Sequence, residues 1–181
     1  MGIQKNFVQK IHHSTQRDTL HRMNDNKASC MEVARKYGYD FWDGDRRFGY
    51  GGHKYIENYW TPVANKIIED YNLNNDSKIL DIGCGKGFLL YEIKKILPKI
   101  KVSGFDISQY AIMNSKEEVK PFLYEHKAQE KTNYIEKEFD LVFSLATLHN
   151  LHLKDLINSL KEISRISLQS YIMVESYRNE K

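Results

Sequence analysis

Proline, cysteine and long apolar runs are scarce in this chain of 181 residues, and each scarcity excludes a class of protein. The three prolines predict a compact chain without Pro-rich linkers. The two cysteines, Cys30 and Cys84, form no C-x-x-C pair, which argues against a structural disulfide or zinc site and predicts a reducing, cytoplasmic location. No apolar run approaches the ~18 residues of a membrane-spanning helix, and no signal-peptide core follows Met1.

Neither sign of charge is in large excess, and the net charge is only +3 at pH 7. Lysines are spread along the whole chain, and no basic block with interleaved aromatics predicts a nucleic-acid partner. The histidine pair His12-His13 has no third ligand at a suitable spacing, so we predict no metal site. The length fits one domain of ordinary size.

The most informative stretch begins at Lys78. A short β-rich apolar run reaches Asp81 and then three alternating glycines, Gly83, Gly85 and Gly87. Apolar residues at helical spacing follow, so the pattern predicts a strand, a tight turn and a helix. Glycines let a backbone approach a ligand closely, and a helix N-terminus offers free N–H groups to an anion. We therefore predict a ligand-binding turn, with an ordinary βα turn as the alternative.

The next predicted strand ends at Asp106, nineteen residues beyond Gly87. An acidic residue about 20 positions after a glycine turn typically binds the ribose hydroxyls of an adenosine-containing cofactor. A dinucleotide fingerprint would place a third glycine where Phe88 stands. That substitution argues against an NAD-dependent oxidoreductase.

Strands alternate with helices along the rest of the chain. This pattern predicts an α/β fold: a Rossmann-like, doubly wound and mostly parallel sheet with helices on both faces. We predict a helical and lid extension over residues 1–60 and a cofactor-binding domain over 61–181. The predicted elements are helices over 1–37, 59–71, 88–97, 109–119 and 153–168, and strands over 78–82, 101–107, 122–126, 139–145 and 170–176.

The segment over residues 39–60 mixes aromatic, glycine and acidic residues with an arginine pair and has no period. Such a composition suits a lid over a site, and an aromatic packing loop is the alternative. In the first case Arg46 or Arg47 would bind a carboxylate or phosphate. The ring of Tyr50 and neighbouring rings would then stack over the cofactor or the acceptor.

The D-I-G-C-G-K-G turn, with Asp106, the strand around Asp140 and the Leu148-His149 turn, resembles class I S-adenosylmethionine-dependent methyltransferases over residues 78–177. The upstream run over 41–52 resembles an extension found in a bacterial subgroup of that family, tied to surface-saccharide or other small-molecule pathways.

The resemblance implies S-adenosylmethionine as the cofactor. It implies that Asp81 supports the amine of the methionine part and that Asp106 binds the ribose. The implied cofactor residues are Tyr50, Asp81, Gly83, Cys84, Gly85, Gly87, Asp106, Ile107, Ala128, Gln129, Ser144 and Leu145.

The segment after the fourth predicted strand bears on which acceptor receives the methyl group. His149 stands where family members place polar groups facing the acceptor and could serve as the base, or it could simply cap the turn. Asn150 and Glu175 are predicted to orient the acceptor. The Asn/Asp-Pro-Pro-aromatic signature of base and glutamine methylation is absent after Ser144. We therefore expect a small polar acceptor with a hydroxyl or amine, such as a sugar or nucleotide-linked sugar.

The resemblance also shows one departure. Family members usually continue past the fifth strand through a further helix and an antiparallel hairpin, whereas this sequence stops at Lys181. The alternatives are a shortened piece, a lineage without this end, or a homo- or hetero-oligomer that completes the sheet. The last alternative gives a second hypothesis, a catalytically incomplete cofactor-binding subunit that regulates or completes a partner methyltransferase.

Overall fold

The computed structural model describes residues 2–8 and 26–174. Five parallel strands form one sheet in the order β3-β2-β1-β4-β5. The strands are β1 (Lys78–Ile82), β2 (Lys101–Asp106), β3 (Leu123–Glu125), β4 (Phe139–Leu145) and β5 (Ser167–Met173). The predicted α/β fold is therefore confirmed.

Six α-helices flank or precede the sheet within the described residues. They are α1 (Lys27–Ala34), α2 (Tyr39–Trp42), α3 (Thr61–Asp70), α4 (Phe88–Ile96), α5 (Gln109–Met113) and α6 (Leu153–Ile166). Single 3₁₀ turns cover Lys120–Phe122 and Leu148–Asn150. Within the described residues, each of these helices is too short or too polar to cross a membrane.

Strand β1 lies at the centre of the sheet, with β2 on one side and β4 on the other. The chain moves outward from β1 to β3 on the first side and then returns to build the second side. Ligands of such sheets bind beyond the carboxyl ends of the strands where the order switches. The switch point here lies between β1 and β4.

Helices cover both faces of the sheet. Successive residues of a strand point to opposite faces, so neighbouring residues of β1 lie in different cores. Ile79 belongs to a core with Ile67 of α3 and Ile93 of α4. The next residue, Leu80, belongs to a second core with Ile163 of α6. This arrangement explains why the strands read as nearly continuous apolar runs.

Several element boundaries differ from the sequence predictions. Residues 2–8 are not helical; Phe7 and Val8 are buried in the core, and the ring centroid of Phe7 lies 4.5 Å from that of Tyr171. Helix α5 begins as predicted, with the Ala111 N–H donating to the Ser108 hydroxyl, but it ends at Met113. Strand β5 begins three residues earlier than predicted because α6 passes directly into it.

Two predicted features lie outside the described residues. They are the His12-His13 pair and Glu175.

The connection from β3 to β4 is fastened to α6 by Glu162. Its carboxylate accepts hydrogen bonds from the Thr132 N–H and hydroxyl and from the Arg165 guanidinium, at 2.6–2.8 Å. Burial alone would raise the pKa of Glu162, but these donors lower it to about 2. The ionised carboxylate therefore stabilises the fold.

We expect Glu162→Gln to lower the free energy of unfolding by about 1–2 kcal/mol at pH 7, after allowance for solvent screening. A lowered pKa contributes stability above the ordinary value of 4.5 and loses it as the pH falls toward about 2. The difference between wild type and variant should therefore shrink over that interval in urea titrations. Glu117→Gln, at a side chain that is 82% exposed, is the control. An equal effect of the two substitutions would contradict this role of Glu162.

Candidate active site

The turn between β1 and α4 takes a conformation that its glycines permit. Gly83 and Gly85 have φ angles of +79° and +54°. A Cβ atom at Gly83 would collide with Thr147, and one at Gly85 would lie 2.8 Å from Cη2 of Trp42. The N–H of Gly83 donates to the carbonyl of Phe105 at 2.8 Å, which ties the turn to the end of β2. The turn is thus packed between the lid, β2 and the segment after β4.

Asp106 at the end of β2 is held by backbone donors. Its carboxylate accepts a hydrogen bond from the Gly85 N–H at 2.9 Å and another from the Ser108 N–H at 2.8 Å. Burial raises its pKa, and the backbone N–H groups of Ser108, Gly85 and Ile107 partly oppose that rise. A carboxylate has about four acceptor positions, so two backbone bonds leave acceptors for hydroxyl groups of a ligand.

Asp81 near the end of β1 is only 5% exposed. Among the described residues, its carboxylate accepts no hydrogen bond. Burial and the nearby charge of Asp106 raise its pKa well above the ordinary value. A buried acid in this state gains most from a cationic ligand, because a positive charge offsets both penalties.

A cavity of about 160 Å³ lies at the switch point. Three parts of the chain line it. The first is the lid with Tyr37 just before it, and the second is the ends of β1 and β2 with the loop after β3. The third is the end of β4 with the segment that follows. Its lining residues are Tyr37, Phe41, Trp42, Tyr50, Gly83, Phe105, Asp106, Ile107, His126, Lys127, Ala128, Gln129, Leu145, Ala146, Thr147, Asn150 and Leu151.

The lid segment, residues 39–60, contributes an aromatic wall. The rings of Trp42 and Tyr50 stack with centroids 5.2 Å apart and planes 12° apart, and Phe41 meets both rings edge-on. The indole N–H of Trp42 donates to the Ser108 hydroxyl at 2.8 Å. Trp42 is only 6% exposed, so it belongs to the wall of the cavity and not to its outer surface.

The structure brings most of the predicted cofactor residues to this cavity. The predicted cofactor residues in its lining are Tyr50, Gly83, Asp106, Ile107, Ala128, Gln129 and Leu145. The predicted residues outside its lining are Asp81, Cys84, Gly85, Gly87 and Ser144. Ser144 is fully buried and donates to the carbonyl of Ile82, which joins β4 to β1. The cofactor roles of all these residues stay predictions.

Most of the predicted acceptor residues lie outside the cavity lining. His149 is exposed on its 3₁₀ turn and is not in the cavity lining, whereas Asn150 beside it is. Arg46 donates to the carbonyl of Gly49 within the lid, and the guanidinium of Arg47 lies 5.3 Å from the ring centroid of Phe48. Both arginines are exposed and outside the lining.

A second hollow of about 490 Å³ lies beside β3 at the sheet edge. Tyr124, Lys131 and Tyr134 are among its lining residues, and it shares only His126 with the first cavity. It contains neither the glycine turn nor an acidic strand end. Its larger volume therefore does not make it the better candidate site.

A sequence model described as "Methyltransferase domain" matches residues 79–168, the part of the chain that builds this sheet and turn. This part of the chain belongs to the class I S-adenosylmethionine-dependent methyltransferases. The described sheet is the methyltransferase sheet, and the cofactor of this family is S-adenosylmethionine.

Individual methyltransferases resemble the chain at a distance. Malonyl-[acyl-carrier protein] O-methyltransferase of Bacillus anthracis is 25% identical over 113 residues, which cover 61% of this chain and 41% of that protein. The tRNA U34 carboxymethyltransferase of Sulfurimonas denitrificans is 30% identical over 118 residues, which cover 60% and 38%. The chain thus spans about two fifths of the length of these curated relatives.

Solved structures share the fold. A SAM-dependent methyltransferase from Aquifex aeolicus aligns with a TM-score of 0.51 and 21% identity, over 65% of this chain and 67% of that one. At this identity the likeness shows the fold alone.

The residues present fit S-adenosylmethionine. The glycine turn leaves no room for side chains, and Asp106, which the resemblance assigns to the ribose, retains free acceptors. Asp81 is a buried acid without a hydrogen-bond partner among the described residues. Trp42, Phe41 and Tyr37 are cavity residues that sequence reasoning missed. The aperiodic aromatic composition of the lid was the signal for Phe41 and Trp42, and it did not indicate which rings turn inward; Tyr37 lies just before the lid.

We expect Asp81→Asn to weaken binding of S-adenosylmethionine and S-adenosylhomocysteine at least about tenfold, since the amide cannot pair with the ligand's ammonium group. The variant without ligand should melt at a higher temperature, because the raised pKa of Asp81 means that its ionisation destabilises the fold as the pH rises. Wild-type affinity should increase with pH, because ligand binding requires the ionised acid, and the variant should lack this dependence.

Calorimetry over a pH series and thermal melts check both effects. Asp76→Asn, on the exposed turn before β1, is the matched control. Wild-type affinity retained by Asp81→Asn would show that Asp81 does not hold the ammonium group.

Proposed function

We propose that this chain is an S-adenosylmethionine-dependent methyltransferase that acts on a small polar acceptor bearing a hydroxyl or an amine. The observation that carries the proposal is the cavity at the switch point, which the glycine turn and the aromatic lid enclose together. The aromatic lid over this cavity favours a small acceptor over a macromolecule.

The chemistry requires little of the protein beyond alignment. When bound, S-adenosylmethionine supplies an activated methyl group on a sulfonium. The aromatic wall excludes water, and Asn150 at the cavity lining orients the acceptor. His149 accepts the acceptor's proton if its turn, residues 148–150, shifts toward the cavity.

The curated relatives suggest two other acceptor classes, a carrier protein and RNA, to compare with small molecules. The curated relatives are named for action on malonyl-acyl-carrier protein and on tRNA U34, and those activities are theirs. The modest net charge of +3 and the absence of a basic block favour a small molecule over RNA for this chain.

A second candidate function rests on the edge of the sheet. Within the described residues, β5 pairs only with β4, so its other edge lacks a neighbouring strand. Leu168 is 61% exposed and Val174 is 48% exposed beside that edge. An unpaired edge with apolar neighbours is a template for another strand. This supports the alternative of a cofactor-binding subunit that a partner completes.

The proposal predicts micromolar binding of S-adenosylhomocysteine to the purified chain, weakened at least about tenfold by Asp106→Ala because the ribose hydroxyls lose their acceptor. Titration calorimetry measures both constants, and thermal melts verify that the variant is folded. Tighter binding of NAD than of S-adenosylmethionine or S-adenosylhomocysteine would contradict the cofactor assignment.

Turnover then separates the acceptor classes. We expect methyl transfer to small hydroxyl or amine acceptors, with kcat about 10²-fold lower in His149→Ala and unchanged cofactor affinity. His152→Ala, at the exposed start of α6, is the control. Transfer only to tRNA or acyl-carrier protein would overturn the small-acceptor proposal. Cofactor binding without turnover by the chain alone, restored by a partner, would establish the second candidate.

A further inference from the structure

Lys86 lies inside the cofactor turn, yet its side chain points toward the lid. Its Nζ donates to both carboxylate oxygens of Asp43, at 2.8 and 2.7 Å, and to the carbonyl of His53 at 2.9 Å. An ammonium group has three N–H donors, and these three bonds use all of them. The side chain is only 6% exposed.

Asp43 is bound from three directions. Besides Lys86, the Tyr110 hydroxyl donates to it at 2.7 Å and the His53 N–H at 3.1 Å. Burial alone would raise the pKa of Asp43, but the bonds from Lys86 and Tyr110 keep it lowered. The lid, the glycine turn and α5 therefore meet at one largely buried ion pair.

The ion pair stands beside the aromatic wall. Asp43 directly follows Trp42, and the ring of His53 lies 4.5 Å from Tyr50 and 5.1 Å from Phe88 of α4. Burial, reinforced by the positive charge of Lys86, lowers the pKa of His53 to about 4, so this ring is neutral at physiological pH. A neutral ring packs between its aromatic neighbours without adding a second cation beside Lys86.

We propose that Lys86 and Asp43 are a positioning pair that holds the aromatic lid closed over the cofactor and thereby controls how fast the cofactor leaves. This inference rests on the proposed function for the identity of the cofactor. It assigns Lys86, despite its place among the glycines, to the lid and not to the ligand.

The closed geometry requires such a device. The cavity of about 160 Å³ is smaller than the ~300–1,000 Å³ of typical ligand pockets. The lid must therefore move outward for a ligand the size of S-adenosylmethionine to enter or leave. Breaking a buried ion pair from either side removes the restraint on that movement.

The first test uses the protein without ligand. In a Trp60→Phe background, Trp42 is the single tryptophan of the chain, and it is 6% exposed in the closed lid. We expect Lys86→Met and Asp43→Asn each to raise its acrylamide quenching constant at least about twofold. Lys99→Met, far from the lid at the turn before β2, should leave it unchanged. The double variant should quench no more than the single variants, because the two residues act as one unit.

The second test measures dissociation by stopped flow for two ligands, S-adenosylhomocysteine and 5′-methylthioadenosine, which lacks the amino-acid part. A lid role predicts that Lys86→Met and Asp43→Asn release both ligands at least about tenfold faster. Lys99→Met again serves as the control. Circular dichroism establishes that each variant is folded at the assay temperature.

The outcomes separate the alternatives. Faster release of S-adenosylhomocysteine alone would show that Lys86 binds the amino-acid carboxylate, which overturns the inference. Unchanged quenching together with unchanged release would overturn it as well. If wild type binds neither ligand, the proposed function fails instead, and the quenching test still decides whether the pair holds the lid.

Discussion

The parallel pairing of β1 with both β2 and β4 is the constraint on which the rest of the structure depends. Its register sets Asp81 opposite Gly104 of β2 and Phe143 of β4. Because all three strands run in the same direction, Asp81, Asp106 and the residues after Leu145 emerge at one edge of the sheet. The glycine turn, the two acids and the cavity wall are therefore neighbours as a result of strand pairing, and no local sequence motif alone could bring them together.

The parts of the site that the sequence predicted are those defined by short spacings. Gly83, Asp106 and the strand over 139–145 follow from a turn, a fixed interval and a continuous apolar run. The contact between Asp43 and Lys86 joins residues 43 positions apart, and only the tertiary fold selects one of many lysines for it. The start of β5 was misplaced for a different reason, since no glycine or proline separates it from α6.

The site and the fold make opposite demands on charge. Asp81 is buried near a second acid, so its ionisation is unfavourable in the chain alone. Asp43 is also largely enclosed, but Lys86 and Tyr110 satisfy it fully within the chain. The same region thus contains one acid that accepts no hydrogen bond from the described residues and another that is already satisfied. Of the two, Asp81 gains more from a cationic ligand, as its predicted cofactor role requires.

The direct passage from α6 into β5 has a consequence for how this protein can vary. Ile166 ends the helix and Ser167 begins the strand, whose first pairing is with Phe139. With no loop to absorb a change, inserting or deleting one residue here would turn alternate side chains of β5 from the core to the opposite face. This junction should therefore keep its residue count even where its residue identities change.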